Sequence, residues 1–399
     1  MIIEKIETFR VEAVPNILWV QLTTNDGVTG LGESYFDPSV TESHIHKHIA
    51  PYLLGRSALD IRKHYRKMIG YLGQQGSGVE QRGRGMVDSA LWDILGKSSG
   101  LPLYQLFGGA VRDEIIIYNT CAGNSYNIRP DAKNASFDHG TFEVEGNFED
   151  TTAFLTDPVG LAESLLAMGI GGMKIWPFDF LPEAEYGGIL SVESLKTGLQ
   201  PFEKIRAALG DKIDLMAELH GLWSVPAACQ IAAALEPIGP AWIEDPLGNR
   251  LIHGLSQVRS ASSQPIAIGE THSLESILPA VVQQSLDYMV ADVAWGGGVT
   301  NALSAAEQAR AHGLSVLFHD CTGPVVLGIS THLAMAQEHC PVQEIARAYL
   351  FGWYNDFAEG LPEFRDGKLH RSDRPGHGIT LRNEMMTASS TKRHQSALT

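Results

Sequence analysis

The sequence has few cysteines, and no two of them are close together. Its 399 residues include four, at positions 121, 229, 321 and 340, and none forms a Cys-x-x-Cys pair. A disulfide framework or a zinc knuckle needs more closely spaced thiols. This pattern indicates reduced cysteines, which are typical of a cytoplasmic protein.

Long apolar runs and an excess of positive charge are also missing. No uninterrupted apolar run is long enough to cross a bilayer, and the N-terminus lacks a basic segment followed by an apolar core. We therefore expect a soluble cytoplasmic protein. The net charge of −16 argues against DNA, RNA and anionic membranes as partners. It does not exclude an acidic small substrate, because a bound cation can reverse the field locally.

What the sequence does contain is a globular composition, with 44% apolar and 19% charged residues and enough length for two domains. Near the N-terminus, two β-prone runs flank a hairpin turn at Asn25-Asp26-Gly27. A helical apolar spacing follows in "DSALWDILGK". This part of the chain predicts a small α+β unit.

From about residue 115, strand-like runs alternate with amphipathic helical stretches. The runs are "EIIIYN", "GGMKIW", "KIDLMAEL", "PAWIED", "PIAIGE", "LDYMVADV", "LSVLFHD" and "VQEIARA". Eight strands alternating with helices favour a (β/α) barrel over an open doubly wound sheet. The polar segment 127–155 predicts a flexible insertion that could cover the barrel mouth. The polar tail from residue 385 onwards predicts disorder.

Three carboxylates close three consecutive predicted strands. The spacing is regular, with 26 residues from Glu218 to Glu244 and 26 from Glu244 to Glu270. The three residues therefore fall at the same level of a barrel, on the face where barrel enzymes carry their sites. Converging carboxylates repel one another unless a cation joins them, and all-oxygen ligands select Mg²⁺. The alternative is three separate helix caps or salt-bridge partners. The common register favours the metal.

The next three strand ends carry Asp292, His319 and Glu344. An aspartate one strand away can orient an imidazole and make it a better base. We therefore interpret His319 with Asp292 as a general-base pair.

These residues, taken together with several motifs, resemble the enolase superfamily, and within it the mandelate racemase subgroup, many of whose members dehydrate acid sugars. The motifs include "GVTGLGE", "DSALWDILGK", "LPLYQLFGG", "WIEDP", "DVAWGGG", "HDCTGP" and "PGHG". The resemblance implies a (β/α)7β barrel, a modified TIM barrel, over residues 114–353. It also implies an α+β capping domain built from residues 1–113 and 354–399. A homo-oligomer is usual in this family.

Carried over to this chain, the resemblance makes Glu218, Glu244 and Glu270 the Mg²⁺ ligands. His319 with Asp292 becomes the base, and Glu344 becomes the acid that hydrogen-bonds the enolate oxygen. A proton beside a carboxylate is weakly acidic, so the enediolate must be stabilised as it forms.

The chain departs from the family pattern at two places. Many members have Lys-x-Lys after the second barrel strand, whereas this chain has Lys174-Ile175-Trp176. The missing second lysine disfavours two-base racemisation and leaves Lys174 to stabilise a substrate carboxylate or enediolate. His220 stands where asparagine is common. It could donate a proton to a departing hydroxyl or act as a specificity residue.

Three aromatic residues are further substrate-binding candidates. Tyr35 and Phe36 belong to a segment resembling the family's specificity loop, and Trp176 replaces the second lysine. The reaction that fits best is Mg²⁺-dependent dehydration of an aldonate or aldarate. The alternatives are cycloisomerisation of a sugar-acid lactone or an anhydro-sugar acid, racemisation or epimerisation, and a catalytically silent metal-binding homologue.

Overall fold

A computed structural model of the chain describes residues 1–69, 78–124 and 148–398. The strands are β1 Ile3–Val11, β2 Ile17–Thr24, β3 Thr29–Tyr35, β4 Glu114–Thr120, β5 Gly172–Ile175, β6 Asp214–Glu218, β7 Trp242–Glu244, β8 Ile266–Ile268, β9 Tyr288–Ala291, β10 Ser315–Phe318, β11 Gln343–Ile345, β12 Ala358–Glu359, β13 Glu363–Arg365, β14 Lys368–His370, β15 Thr380–Leu381 and β16 Thr391–Ala397. The α-helices are α1 Pro38–His44, α2 Ala50–Leu53, α3 Ile61–Lys67, α4 Val79–Ser99, α5 Leu103–Leu106, α6 Asp150–Thr156, α7 Pro158–Ala167, α8 Val192–Leu209, α9 Val225–Leu235, α10 Leu255–Ala261, α11 Leu274–Val282, α12 Val299–Ala311, α13 Pro324–Ala336, α14 Tyr354–Phe357 and α15 Asn383–Thr387.

The N-terminal strands form an antiparallel sheet in the order β16-β1-β2-β3, and α4 packs against it. The predicted hairpin is confirmed, with Gly27 in the left-handed region at φ 81°. Gly30 and Gly32 of β3 lie against the α4 backbone, and a Cβ at either position would come within 2.0 Å of the carbonyl oxygens of Ala90 and Met86. Only glycine allows the helix and the strand to pack this closely.

The prediction that the C-terminal tail is disordered was wrong. Residues 383–387 form a helix, and β16 pairs with β1 over seven residues, from Lys5 opposite Ala397 to Val11 opposite Thr391. The tail is polar because β16 is a mostly exposed edge strand, and charged side chains are how edge strands avoid pairing with other chains.

The remaining strands build the predicted barrel. Strands β4 to β10 pair in sequence order and in parallel, and β11 pairs with β4. The Gln343 side chain of β11 donates to the Phe318 carbonyl of β10 at 2.9 Å and so links the last two strands. Six buried side chains fill the interior: Tyr118, Met216, Trp242, Ala267, Val290 and Leu317. The (β/α)7β class with an α+β cap is thereby confirmed.

The chain beyond the barrel returns to both parts of the molecule. The hairpin of β13 and β14 extends the barrel sheet at the start of β4, whereas β16 joins the N-terminal sheet. The predicted domain boundaries at residues 114 and 353 stay a prediction.

The predicted insertion at 127–155 falls mostly outside the described residues. Its described end is helical and anchored, because Asp150 at the start of α6 is buried and accepts two hydrogen bonds, each of 2.7 Å, from Arg347. Among the described residues, no helix is both long enough and apolar enough to span a membrane.

Candidate active site

The three glutamates lie together at the C-terminal ends of neighbouring barrel strands. Glu218 and Glu244 are the last residues of β6 and β7 and are direct register partners, and Glu270 follows β8 by two residues. Parallel strands of a barrel end on one face, so the regular spacing in the sequence becomes proximity in space. All three are buried, with relative exposures of 1%, 0% and 6%.

The donor set of this cluster suits a divalent cation. One carboxylate oxygen from each of the three lies within 4.8 Å of the others. Lys174 contacts Glu244 at 2.6 Å, Glu344 at 2.9 Å and Glu218 at 3.2 Å. The ammonium of Lys174 alone cannot balance the carboxylates of Glu218, Glu244, Glu270 and Glu344. A cluster of charged oxygen ligands is what Mg²⁺ prefers. Glu218, Glu244 and Glu270 therefore fit a Mg²⁺ site.

The proximity of these groups perturbs their protonation. Burial raises the pKa of Glu244 to about 8, against the attraction of Lys174 and with the repulsion of neighbouring carboxylates. Burial and the charges of Glu270, Glu218 and Glu244 raise the pKa of Asp245, whose backbone is left-handed at φ 37° and whose side chain accepts from the Gly269 N–H at 2.9 Å. Bound positive charge would lower both values.

His319 and Asp292 form the expected pair on the next two strands. His319 Nδ1 lies 2.8 Å from Asp292 Oδ2, and its Nε2 lies 3.3 Å from Glu270 Oε2. The other Asp292 oxygen accepts from the backbone N–H groups of Ala294 and Trp295, each at 2.6 Å, which fixes the carboxylate. Burial would lower the pKa of His319, but the carboxylates of Glu344, Glu270 and Asp292 raise it to about 10.

Glu344 is surrounded by hydrogen-bond donors. It contacts Lys174, accepts from the Thr120 hydroxyl, and accepts from the Asp320 N–H at 3.1 Å. Although burial opposes it, the charges of Lys174 and His319 lower the pKa of this carboxyl. In this arrangement Glu344 accepts hydrogen bonds, so its role as a proton donor stays a prediction.

His220 has a partner that sequence reasoning missed. Its Nδ1 lies 2.5 Å from Asp179 Oδ2, and Asp179 is 1% exposed. Burial would lower the pKa of His220, but the charges of Glu218 and Asp179 raise it to about 10. Asp179 follows β5 in "WPFDF", outside the strand-end series. Only the fold shows that it meets His220.

A cavity of about 210 Å³ opens above the glutamates. Its described lining includes every predicted aromatic residue, namely Tyr35, Phe36 and Trp176, and it also includes Lys174, His220, Glu270 and His319. The structure adds Thr120, Thr271, Trp295 and Cys321 to this lining. The ring of Trp295 lies 5.8 Å from that of Phe36 and 5.1 Å from that of His319, measured between centroids.

Two of the missed residues had a signal in the sequence. Thr120 ends β4 and so occupies the same strand-end position as the glutamates. Trp295 lies three residues after Asp292 in the motif "DVAWGGG". The arrangement as a whole places two imidazoles, each held by an aspartate, at one cavity over a cluster of carboxylates. Such a site can remove and deliver protons on a substrate that carries negative charge.

The chain is similar to known proteins over both of its parts. Residues 10–108 match the N-terminal domain family of mandelate racemase and muconate lactonizing enzyme, and residues 159–385 match the family described as enolase C-terminal domain-like. A D-mannonate dehydratase of Xanthomonas oryzae pv. oryzicola is 28% identical over 377 residues, covering 92% of this chain and 86% of the relative. A D-galactonate dehydratase family member of Enterococcus gallinarum is 28% identical over 390 residues, covering 94% and 90%.

Solved structures are similar over the whole chain. A crystal structure of an enolase of the mandelate racemase subgroup from Agrobacterium tumefaciens is 37% identical, with a TM-score of 0.87, covering 100% of this chain and 99% of the other. An enolase protein from Sargasso Sea environmental sequencing is 32% identical with a TM-score of 0.87 and the same coverage.

Proposed function

Because the chain belongs to the mandelate racemase/muconate lactonizing enzyme family of the enolase superfamily, we propose that it is a Mg²⁺-dependent acid-sugar dehydratase. It would convert an aldonate or aldarate into a 2-keto-3-deoxy acid. Relatives named D-mannonate and D-galactonate dehydratases support this reaction class. The observation that carries the proposal is the pair of aspartate-held histidines, His319 and His220, lining one cavity above three buried glutamates.

His319 is the proposed base. Its Nδ1 is engaged by Asp292, so Nε2 is the ring atom that takes the proton from the carbon beside the substrate carboxylate. The carboxylate of Glu270 raises the pKa of this ring, and a cation held by Glu270 would offset that effect and leave Nε2 unprotonated. The electron pair of that C–H bond then enters the enediolate. Glu218, Glu244 and Glu270 would hold Mg²⁺, which supplies positive charge to stabilise this dianion.

His220 is the proposed acid for the second half of the reaction. As the enediolate electrons form the new C=C bond, the bond from C3 to its hydroxyl breaks, and His220 supplies the proton that lets the hydroxyl leave as water. The resulting enol becomes the keto acid. Asp179, within hydrogen-bond distance of Nδ1, fixes the ring of His220, which lines the cavity, and leaves Nε2 as the nitrogen that would deliver the proton.

Keto-acid formation tests the proposal. Purified protein with Mg²⁺ would be incubated with a library of aldonates and aldarates, and keto acids would be measured as semicarbazones. We expect the wild type to act on at least one member and the His319→Asn variant on none, because an amide cannot accept the proton. His312→Asn, at an exposed histidine, is the matched control and should stay active. Failure of the wild type on every library member would overturn the proposal.

An epimerase or racemase is the second candidate, since His220 with Asp179 resembles the base pair of His319 with Asp292. Proton exchange in D₂O separates the two functions. For a dehydratase, His220→Asn should retain α-deuterium exchange and lose keto-acid formation, whereas His319→Asn should lose both. Exchange that survives in His319→Asn would favour the epimerase.

A further inference from the structure

A second cleft, of about 450 Å³, lies beside the reaction cavity, and Leu222 lines both. Three loops form it: the turn at Tyr186 and Gly187, the loop from β6 to α9 at residues 221–224, and the segment after β7 at residues 248–251. None of its ten described lining residues belongs to the proposed catalytic or metal-binding groups.

Close contacts between the backbones of the three loops fix the shape of the cleft. Gly187 and Gly221 have φ angles of 61° and 67°. A Cβ on Gly187 would lie 2.6 Å from the Leu222 carbonyl oxygen, and one on Gly221 would lie 2.8 Å from the Gly248 Cα. Because glycine alone fits both the conformation and the distance, the three loops meet in a defined arrangement.

The one charged side chain among the described lining residues of the cleft is positive, that of Arg250, although the molecule as a whole is acidic. The chain carries a net charge of −16, yet none of the ten lining residues is acidic. Arg250 supplies a guanidinium for which the described residues show no ion pair, and Asn249 beside it supplies an amide. Arginine presents paired donors that match the oxygens of a carboxylate or phosphate.

Two further features of the same cleft can donate hydrogen bonds. Trp223 lines the cleft and is only 1% exposed, but its indole N–H has no acceptor among the described residues. A buried donor without a partner is costly and calls for an acceptor. In addition, the 11-residue helix α9 begins here, and its N-cap Ser224 makes no side-chain cap hydrogen bond. The Ser224 N–H already donates to the Gly187 carbonyl at 3.1 Å and Pro226 has no N–H, so the start of α9 offers an anion the N–H groups of Val225 and Ala227 and the helix dipole.

From these observations we propose that the cleft is an oxyanion-binding site, bound through Arg250, Trp223 and the start of α9. Its ligand carries a carboxylate or phosphate group and comes from one of two sources. One is an acid sugar held beside the reaction cavity, which rests on the proposed function. The other is a free small anion, which does not.

The indole N–H of Trp223 reports binding directly, without any turnover. Protein loaded with Mg²⁺ and labelled with ¹⁵N at its seven tryptophans would be titrated with phosphate, acetate or D-gluconate at constant ionic strength. The Trp223→Phe variant assigns the signal by its disappearance. We expect a saturable shift of the Trp223 signal, because a hydrogen bond to an anion changes the environment of the N–H.

Arg250→Gln should weaken this binding by about 10-fold or more, the scale of losing one charge-assisted hydrogen bond. Arg250 is exposed, so the variant keeps the core intact. Arg62→Gln, at an exposed arginine of α3, is the matched control and should bind like the wild type. A shift with D-gluconate alone identifies an acid sugar, and equal shifts with phosphate and acetate identify a free anion. No shift with any probe, or unchanged affinity in Arg250→Gln, would overturn the site whether or not the chain dehydrates sugars.

Discussion

At the scale of single residues, the site depends on carboxylates that are too close to coexist without positive charge. Lys174 contacts three of them, and Trp242 donates its indole N–H to Glu244 at 2.7 Å. Mutual repulsion of buried carboxylates is costly, and the cost is offset only where cations and donors surround them. A metal ion that binds here is therefore coupled to the stability of the whole cluster.

Replacing Glu244 should abolish Mg²⁺ binding. Glu244→Gln leaves two carboxylates, which offer a poor site to an ion that prefers charged oxygen ligands in an octahedral arrangement. Titration calorimetry with MgCl₂ should show binding in the wild type and no detectable heat in the variant. Glu307→Gln, at an exposed residue, is the control. Undiminished binding in Glu244→Gln would place the ion elsewhere.

At the scale of elements, α13 carries a histidine that the fold keeps neutral. His332 is buried against the ring of Tyr104, 5.7 Å away, and also faces His377 and Asp93. Burial and the neighbouring His377 lower the pKa of His332 to about 4. Below pH 6.5 the unfolded chain takes up this proton more readily than the folded one, so stability is lost as the pH falls from about 6.5 towards 4.

His332→Gln should reduce that acid sensitivity. Between pH 7 and pH 4.5 the variant should lose about 2–3 kcal/mol less free energy of unfolding than the wild type, at about 1.4 kcal/mol per pKa unit. Urea unfolding at both pH values measures the difference. The exposed His312→Gln serves as the control. Equal losses in wild type and His332→Gln would mean that this ring is protonated in the folded protein.

The strand β16 provides the second prediction at this scale. It covers the edge of β1, and His394 on it stacks on the ring of His46, with centroids 3.9 Å apart. Deleting residues 391–399 should lower the free energy of unfolding by about 1–3 kcal/mol, since several ladder hydrogen bonds are lost and the ordering entropy is regained.

The same deletion exposes an unpaired edge, so light scattering should detect self-association. The control Lys392→Ala, which keeps the strand, should unfold like the wild type and remain unassociated. A truncated chain that is as stable as the full one would show that β16 adds nothing to the sheet.

At the scale of the whole molecule, α4 of the N-terminal unit is joined to the barrel through buried hydrogen bonds. Asp88 on α4 accepts from both the N–H and the hydroxyl of Thr300, at 2.8 and 2.7 Å, and Thr300 lies at the start of α12. Trp92 on the same face of α4 donates to the Thr300 hydroxyl at 3.0 Å. On the same helix Arg82 lies 3.4 Å from Asp37, the neighbour of Phe36, so α4 links these barrel contacts to the loop that bears Phe36.

Asp88→Ala should destabilise this junction by about 1–3 kcal/mol, because the buried N–H of Thr300 loses its acceptor. Urea unfolding would measure the loss, with Asp113→Ala at an exposed aspartate as the control. The KM for substrate should also rise, since Phe36 lines the cavity. An Asp88→Ala variant as stable as the wild type would contradict this account.

The sequence alone determined the strand-by-strand layout of the barrel and the level at which Glu218, Glu244 and Glu270 meet. Both follow from local periodicity and from the constant length of a strand–helix unit, which are properties of neighbouring residues. The N-terminal hairpin was predictable for the same reason, since its turn residues are adjacent.

Only the tertiary structure decided the contacts between distant segments. The polar β16 becomes a strand because β1, at least 380 residues away along the chain, supplies its hydrogen-bond partners. Asp179 meets His220, and Arg250 and Trp223 line one cleft, because loops from different strands converge on the same face of the barrel. Their spacing follows no period, so no pattern in the chain marks them. Local propensity determines whether a segment forms a helix or a strand. Which segment pairs with an exposed strand edge or meets a loop is determined by the packing of the whole chain.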